Sequence, residues 1–190
     1  MSRRGNGDAR SWRLSGRRAV FLDRDGVLVE TLVRAGRAEA PVSLEEFRLV
    51  ADAAAQVGRL REAGLVPIIF TNQPDVARGV IAEETLARMH ARLRAAAPVE
   101  DIFLCPHDEA DGCGCRKPKP GMLLAAAERW GIDLPSSYVV GDRWRDIDAG
   151  RAVGCYTILL ERPYSACTTA HARVPDLRAA VDLILTRADD

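Results

Sequence analysis

Five short apolar runs alternate with segments of helical periodicity along this chain, and the alternation predicts an α/β domain with a central parallel sheet. Polar clusters follow four of those runs at once: Asp23/Asp25, Thr71/Asn72, Cys105 and Asp142. In a parallel sheet these positions share one edge, where open α/β folds bind ligands. The first cluster stands out. Val20-Phe21-Leu22 runs straight into Asp23-Arg24-Asp25-Gly26, and paired carboxylates repel each other and resist desolvation unless a cation joins them.

The first strand is read over residues 18–23, apolar enough to be buried on both faces. Residues 29–50, with Gly36 and Pro41, are irregular and suit a flap over that strand's end. Residues 52–63 put Ala53, Val57 and Leu60 on one helical face, and Gly64 stops the helix. A second strand over 65–70 runs into Thr71-Asn72-Gln73. The helix over 82–96 opens on Glu83 and Glu84, favoured by the helix dipole, and turns Leu86, Met89 and Leu93 inward. Residues 102–104 form a third strand, and Cys105 begins a long loop. Pro120 suits the first turn of the next helix, with Leu123, Ala127 and Trp130 inward and Gly131 at its end. A fourth strand over 137–140 leads to Gly141-Asp142, a short helix to 144–153, and a fifth strand to 155–160. The last helix starts near Pro175-Asp176 and packs Leu177, Ala180, Val181, Ile184 and Leu185.

At 190 residues the chain is long enough for one domain and short for two, so residues 18–187 are read as a single domain. Residues 1–17 are read as a basic, disordered leader, with Arg3, Arg4, Arg10, Arg13 and Arg17 among Ser, Gly and Asn. Zero formal net charge supplies no global field toward nucleic acid or an anionic membrane. No apolar stretch approaches the ~20 residues of a membrane span, and the N-terminus lacks the apolar middle of a secretory signal. A cytoplasmic monomer acting on a small molecule is the expectation. Five cysteines do not make a disulfide scaffold. Cys155 reads as a small buried side chain and Cys167 as an exposed thiol.

A carboxylate that attacks phosphorus must approach an anion and needs a cation to screen the repulsion. Mg²⁺ suits Asp23 and Asp25, since it takes one or two carboxylates and keeps positions for water and phosphate. The second carboxylate then protonates the leaving alcohol and later deprotonates water. Thr71 and Asn72 are neutral donors for phosphoryl oxygens, and Arg78 offers a planar fork to a second anion. Cys105-x-His107-x5-Cys113-x-Cys115 is a closed tetrahedral zinc set, structural rather than catalytic, with Gly112 and Gly114 permitting tight turns. It runs directly into Arg116-Lys117-Pro118-Lys119-Pro120, so zinc is expected to brace Arg116 and Lys117 against a phosphate. Asp142 completes the Mg²⁺ carboxylates, Asp146 one turn later orients it, and Arg143 reaches substrate. Trp144 and His90 read as packing; His171 carries no signal.

Asp23-Arg24-Asp25-Gly26, Thr71, Lys117 and Gly141-Asp142 with Asp146 resemble, in order, the four motifs of the haloacid dehalogenase (HAD) superfamily. The zinc loop entering Cys115-Arg116-Lys117-Pro118 is similar to the branch that contains D-glycero-D-manno-heptose 1,7-bisphosphate phosphatase and histidinol-phosphatase. That resemblance covers residues 18–187. It implies a Rossmann-like three-layer fold with a small flap in place of a large cap. It also implies Asp23 as nucleophile, Asp25 as acid/base, and Mg²⁺ on Asp23, the Asp25 main-chain carbonyl and Asp142. By the same resemblance Thr71 and Lys117 would stabilise the phosphoryl group and Arg116 would meet substrate; Asn72, Gln73, Arg78 and Arg143 are taken as further substrate contacts. Thr71-Asn72-Gln73, Ala77-Arg78-Gly79 and Lys119-Pro120-Gly121-Met122 are more similar to the heptose enzymes. Val27 departs from a common threonine, and Pro74-Asp75 from a Ser-Gly pair.

Three functions compete at this point. One is a Mg²⁺-dependent phosphatase removing the C7 phosphate of a heptose bisphosphate. Another is the same chemistry on histidinol phosphate or a similar monoester, which would favour acidic pocket residues for its amine. A third is a non-enzymatic phospho-acceptor or zinc-stabilised binding module. Arg78, Arg116 and Arg143 favour the first.

Overall fold

The computed structural model describes residues 16–34, 37–165 and 168–188. Six strands form one sheet: β1 (Ala19–Leu22), β4 (Val66–Asn72), β5 (Asp101–Cys105), β6 (Tyr138–Gly141), β7 (Tyr156–Leu160) and β8 (Ala172–Val174). Their order is β5-β4-β1-β6-β7-β8, and every pairing is parallel. The chain builds outward from β1 to β5, then returns to the other side of β1 with β6. That reversal makes the C-terminal end of β1 the switch point of the sheet.

Period-2 alternation in β1 divides the core. Val20 and Leu22 face one side, with Val57 and Leu60 of α1 (Ala53–Glu62), Leu86, Met89 and Leu93 of α2 (Glu83–Ala96), and Val181 and Ile184 of α5 (Leu177–Ala188). Ala19 and Phe21 face the other, with Met122, Leu123 and Ala126 of α3 (Gly121–Trp130) and Ala149 of α4 (Trp144–Ala152). The result is the expected three-layer arrangement around a parallel sheet. Among the described residues, no helix is long and apolar enough to cross a membrane.

Several local expectations change. The flap region is not wholly irregular: β2 (Leu32–Arg34) and β3 (Arg37–Glu39) pair antiparallel as a hairpin. A sixth strand, β8, went unread because its Ala-Arg-Val is short and only partly buried. Arg17, assigned to the leader, joins the fold: its N–H donates to the Gly131 carbonyl at 2.9 Å and its carbonyl accepts from Asp133. The rest of the leader, and Cys167, lie outside the described residues apart from Gly16. Pro120 precedes α3 rather than joining its first turn, and Ala127, Trp130 and Leu185 are only partly buried. Trp144 is 37% exposed, with Arg145 over its ring, so it does not pack inward.

His90 of α2 is buried, and its Nε2 lies 3.2 Å from Nη1 of the fully buried Arg24. A guanidinium only donates, so Nε2 accepts and the proton of neutral His90 sits on Nδ1. Burial, then the Arg24 charge, lowers its pKa from 6.5 to about 4. The unfolded chain therefore binds this proton first as pH falls. The stability His90 contributes is intact above pH 6.5 and lost on the way down through about pH 4. The shift corresponds to about 3 kcal/mol. Urea unfolding of His90→Gln should show a shallower loss between those limits by roughly that amount. Parallel pH profiles for the two proteins would refute it.

Candidate active site

The C-terminal edge of the sheet carries a cavity of about 400 Å³ whose wall includes Asp23, Asp25, Asn72, Lys117 and Asp146. Asp23 and Asp25 leave β1, Asn72 ends β4, and Asp142 follows β6 directly. A sharp turn follows Asp25. Gly26 adopts φ +85°, and a methyl group there would run into the Asp142 carboxylate, so this position is closed to side chains by space as well as by conformation.

Each carboxylate is held differently. Asp23 Oδ1 accepts from the Arg24 N–H at 2.7 Å and lies 2.9 Å from Lys117 Nζ, while Oδ2 has no hydrogen bond among the described residues. Both oxygens of Asp25 are engaged, Oδ1 by Arg24 Nε at 2.9 Å and Oδ2 by Gln73 Nε2 at 2.8 Å. Asp146 Oδ1 meets Lys117 Nζ at 2.6 Å and its Oδ2 accepts from the Arg143 N–H at 3.0 Å. Asp142 Oδ2 accepts from the Tyr164 hydroxyl at 2.7 Å, and Oδ1 is buried with no hydrogen-bond partner among the described residues.

That crowding sets the protonation balance. Burial raises Asp23 well above the usual carboxylate range; Lys117 opposes this, and Asp146, Asp142 and Asp25 reinforce it. Burial, then Asp146, lifts Asp142 to about 6. Burial works to lower Lys117, but Asp146 and Asp23 outweigh it and its pKa rises, so it stays charged. Burial, then the Asp142 charge, pushes Tyr164 up to about 12 and keeps it a donor.

Asp23, Asp142 and Asp146 offer carboxylate oxygens within 4.8 Å of one another. The orphaned Asp142 Oδ1 is an expensive vacancy in protein terms and an ordinary one for a hard cation's ligand. The Asp25 main-chain carbonyl also accepts no hydrogen bond among the described residues. The expected role of Asp146, orienting Asp142, is displaced: it anchors Lys117 instead.

The expected substrate contacts separate into two groups. Arg116 and Arg143 line the cavity; among the described residues each donates only to a carbonyl, Arg116 Nη1 to His107 at 3.0 Å and Arg143 Nη2 to Ala38 of the flap at 2.8 Å. The nearest carboxylate to Arg143 is Asp142 Oδ1, 4.0 Å from Nε. Arg78 lines the cavity as well, but its fork is taken by Asp108 at 2.7 and 2.9 Å and by Asp75 at 3.3 Å. Asn72 clasps the Lys117 backbone, accepting from its N–H at 3.0 Å and donating to its carbonyl at 3.2 Å. Gln73 is 3% exposed and lies behind the cavity wall, its amide spent on Asp25, Thr71 and Arg24. Thr71 is also buried; its hydroxyl oxygen accepts from Gln73, leaving its proton free to donate.

Arg24 and Tyr164 escaped the sequence reading. Arg24 was overlooked because the reading of that motif turned on the two carboxylates that flank it. Tyr164 follows β7 on the same edge as the other clusters, so strand-end position was the available signal.

Beside the cavity, Cys105, His107, Cys113 and Cys115 bring three sulfurs and one imidazole nitrogen within 4.8 Å of one another. Four of the edges measure 3.4–3.6 Å. A tetrahedron with metal–sulfur bonds of about 2.3 Å and metal–nitrogen bonds of about 2.0 Å has edges of roughly 3.5–3.8 Å. Burial pushes the Cys105 thiol up to about 12, a thiol that only a cation would keep ionised near neutrality. Lys119 Nζ donates to the Gly112 and Cys113 carbonyls at 2.9 and 2.7 Å, tying the loop to the basic segment it precedes.

Comparison with known proteins agrees with this geometry. Residues 114–179 match the family model described as HAD-hydrolase-like. The chain is 37% identical over 150 residues to a D-glycero-beta-D-manno-heptose-1,7-bisphosphate 7-phosphatase of Pseudomonas aeruginosa, covering 76% of this chain and 82% of that one. It is 35% identical over 195 residues to the D-glycero-D-manno-heptose-1,7-bisphosphate 7-phosphatase of Thermosynechococcus vestitus, covering 90% and 96%. Among solved structures, the D,D-heptose 1,7-bisphosphate phosphatase of B. bronchiseptica, complexed with magnesium and phosphate, superimposes with a TM-score of 0.74 at 30% identity, covering 90% of this chain and 99% of that one. The chain belongs to the HAD-like family of D-glycero-D-manno-heptose-1,7-bisphosphate 7-phosphatases and is a phosphoric monoester hydrolase.

Proposed function

We propose that this enzyme removes the C7 phosphate of D-glycero-D-manno-heptose 1,7-bisphosphate through an aspartyl-phosphate on Asp23. The observation that carries the substrate class is the pair of cavity guanidiniums, Arg116 and Arg143, whose own hydrogen bonds go to carbonyls. They are the positive charge a second phosphate can claim. Arg78, expected in that role, is neutralised by Asp108 and Asp75, and it holds Asp108 down to about 2. A substrate with an amine, such as histidinol phosphate, needs an uncommitted carboxylate. Asp75 and Glu39 of the cavity are each paired with an arginine, Arg78 and Arg34.

Mg²⁺ would be held by Asp23, Asp142 and the Asp25 carbonyl, and when bound it would neutralise charge between nucleophile and phosphate. Asp23 Oδ2, free of hydrogen bonds, attacks phosphorus as the bond to the sugar oxygen breaks. Asp25 gives its proton to that departing oxygen, then takes one from the water that attacks the same phosphorus and frees Asp23. Arg24 and Gln73 fix the Asp25 carboxylate during both transfers. Lys117 faces the charge that develops on the phosphoryl oxygens. Zn²⁺ would fill the Cys105–His107–Cys113–Cys115 set and brace the segment carrying Arg116 and Lys117.

With Mg²⁺ present, the heptose bisphosphate should turn over at least about tenfold faster than histidinol phosphate, the worth of roughly 1.4 kcal/mol in the transition state. The reverse ranking would overturn the substrate assignment. Asp23→Asn should abolish turnover with zinc content unchanged; robust turnover by that variant excludes the covalent route. Elemental analysis should find ~1 zinc per chain, a closed four-ligand site holding one ion. Cys113→Ser should then lower both melting temperature and rate, whereas zinc loss without loss of stability would argue against a structural ion.

A further inference from the structure

Asp142 is gripped from one short segment. Ser165 Oγ donates to its main-chain carbonyl at 2.7 Å, and the neighbouring Tyr164 hydroxyl donates to Oδ2 at 2.7 Å. The absence of a side chain at Gly26 leaves room for this contact, since a methyl group would press on both the carboxylate and the hydroxyl. A carboxylate free to rotate presents either oxygen. Held through Oδ2, this one presents Oδ1, the buried oxygen with no partner among the described residues.

Tyr164 also faces the flap. Its hydroxyl has one proton, given to Asp142, so the contact at 3.3 Å with Thr31 Oγ1 has Thr31 donating. Thr31 immediately precedes β2. The Arg143 guanidinium sits 5.5 Å over the Tyr164 ring and bonds the Ala38 carbonyl of β3. The residue that leads into the hairpin therefore touches Tyr164 directly, and β3 reaches it through Arg143.

We propose that Tyr164 is a positioning residue for the divalent cation: it holds Oδ2 of Asp142, presents Oδ1 to the ion, and ties that carboxylate to the flap hairpin. The inference rests on reading Asp142 as a cation ligand. Residues that orient metal ligands typically change affinity by 10–100-fold when removed.

Tyr164→Phe keeps the ring beneath Arg143 and removes only the hydroxyl. Mg²⁺ alone, titrated calorimetrically into protein freed of Mg²⁺ by dialysis, should bind about tenfold more weakly than to the unsubstituted protein. Loss of the bond to Oδ2 should lower the melting temperature without Mg²⁺ as well, so affinities are compared at a temperature where both proteins are folded. Thr31→Val, which leaves Tyr164 in place, should weaken Mg²⁺ in the same direction by a smaller factor, and it decides the matter if Tyr164→Phe melts early. Unchanged Mg²⁺ affinity in the folded variants overturns the proposal. Asp142→Asn separates the two readings. If it loses Mg²⁺ while Tyr164→Phe does not, only the role of Tyr164 falls; if it binds Mg²⁺ normally, the cation reading falls too.

Discussion

Four carboxylates converge at the ends of β1 and β6, and the site is organised by how their repulsion is absorbed. Two unit charges 4 Å apart interact with about 4 kcal/mol at an effective dielectric constant of 20. Such a cluster does not assemble without opposing charge. Arg24 and Lys117 supply two positive charges, both essentially buried, and burial with mutual repulsion still raises Asp23 and Asp142 toward their protonated forms. A divalent ion would relieve the repulsion those two cations leave. The buried carboxylate oxygen left without a partner among the described residues belongs to Asp142, at the centre of that repulsion.

The pairing pattern also divides labour between chemically identical groups. Asp25 is fixed through both oxygens by Arg24 and Gln73, which suits a group that must exchange protons at a constant position. Asp23 keeps one oxygen free, which suits a nucleophile. Asp146 spends itself on Lys117 and on the N–H of Arg143. Lys117 in turn depends on Asn72 for its backbone and on the Phe70 carbonyl for its ammonium, so β4 positions a residue that arrives from the cysteine loop.

Much of this was legible in the chain because burial leaves a plain trace. The apolar strands, the helix stops and the strand-end clusters followed from composition and period alone. The cysteine–histidine spacing named its own geometry. What escaped has physical causes. β8 and the hairpin strands are partly exposed and only three residues long, too short for a period to stand out. Gln73 was placed against substrate by adjacency to Asn72, yet its side chain lies behind the cavity wall beneath Asp25. Arg78 looked free because its partner Asp108 is thirty positions away, inside a loop whose path depends on the cysteine cluster.

That last case bears on specificity. Five arginines line the cavity, and their number alone would suggest a strongly anionic ligand. Pairing changes the reading. Arg34 meets Glu39 and Glu46, Arg78 meets Asp75 and Asp108, and Arg145 meets Glu109. These contacts join the flap, the loop after β4 and the cysteine loop to the cavity rim. Exposed pairs of this kind are each worth under about 1 kcal/mol, so they set resting loop geometry more than global stability. Arg116 is bonded instead to a carbonyl, and Arg143 to a carbonyl with Asp142 Oδ1 only as near as 4.0 Å, so these two are the least fully paired. Under the proposed function, selectivity for a second phosphate would depend less on how many basic residues surround the cavity than on which of them the loops leave least paired.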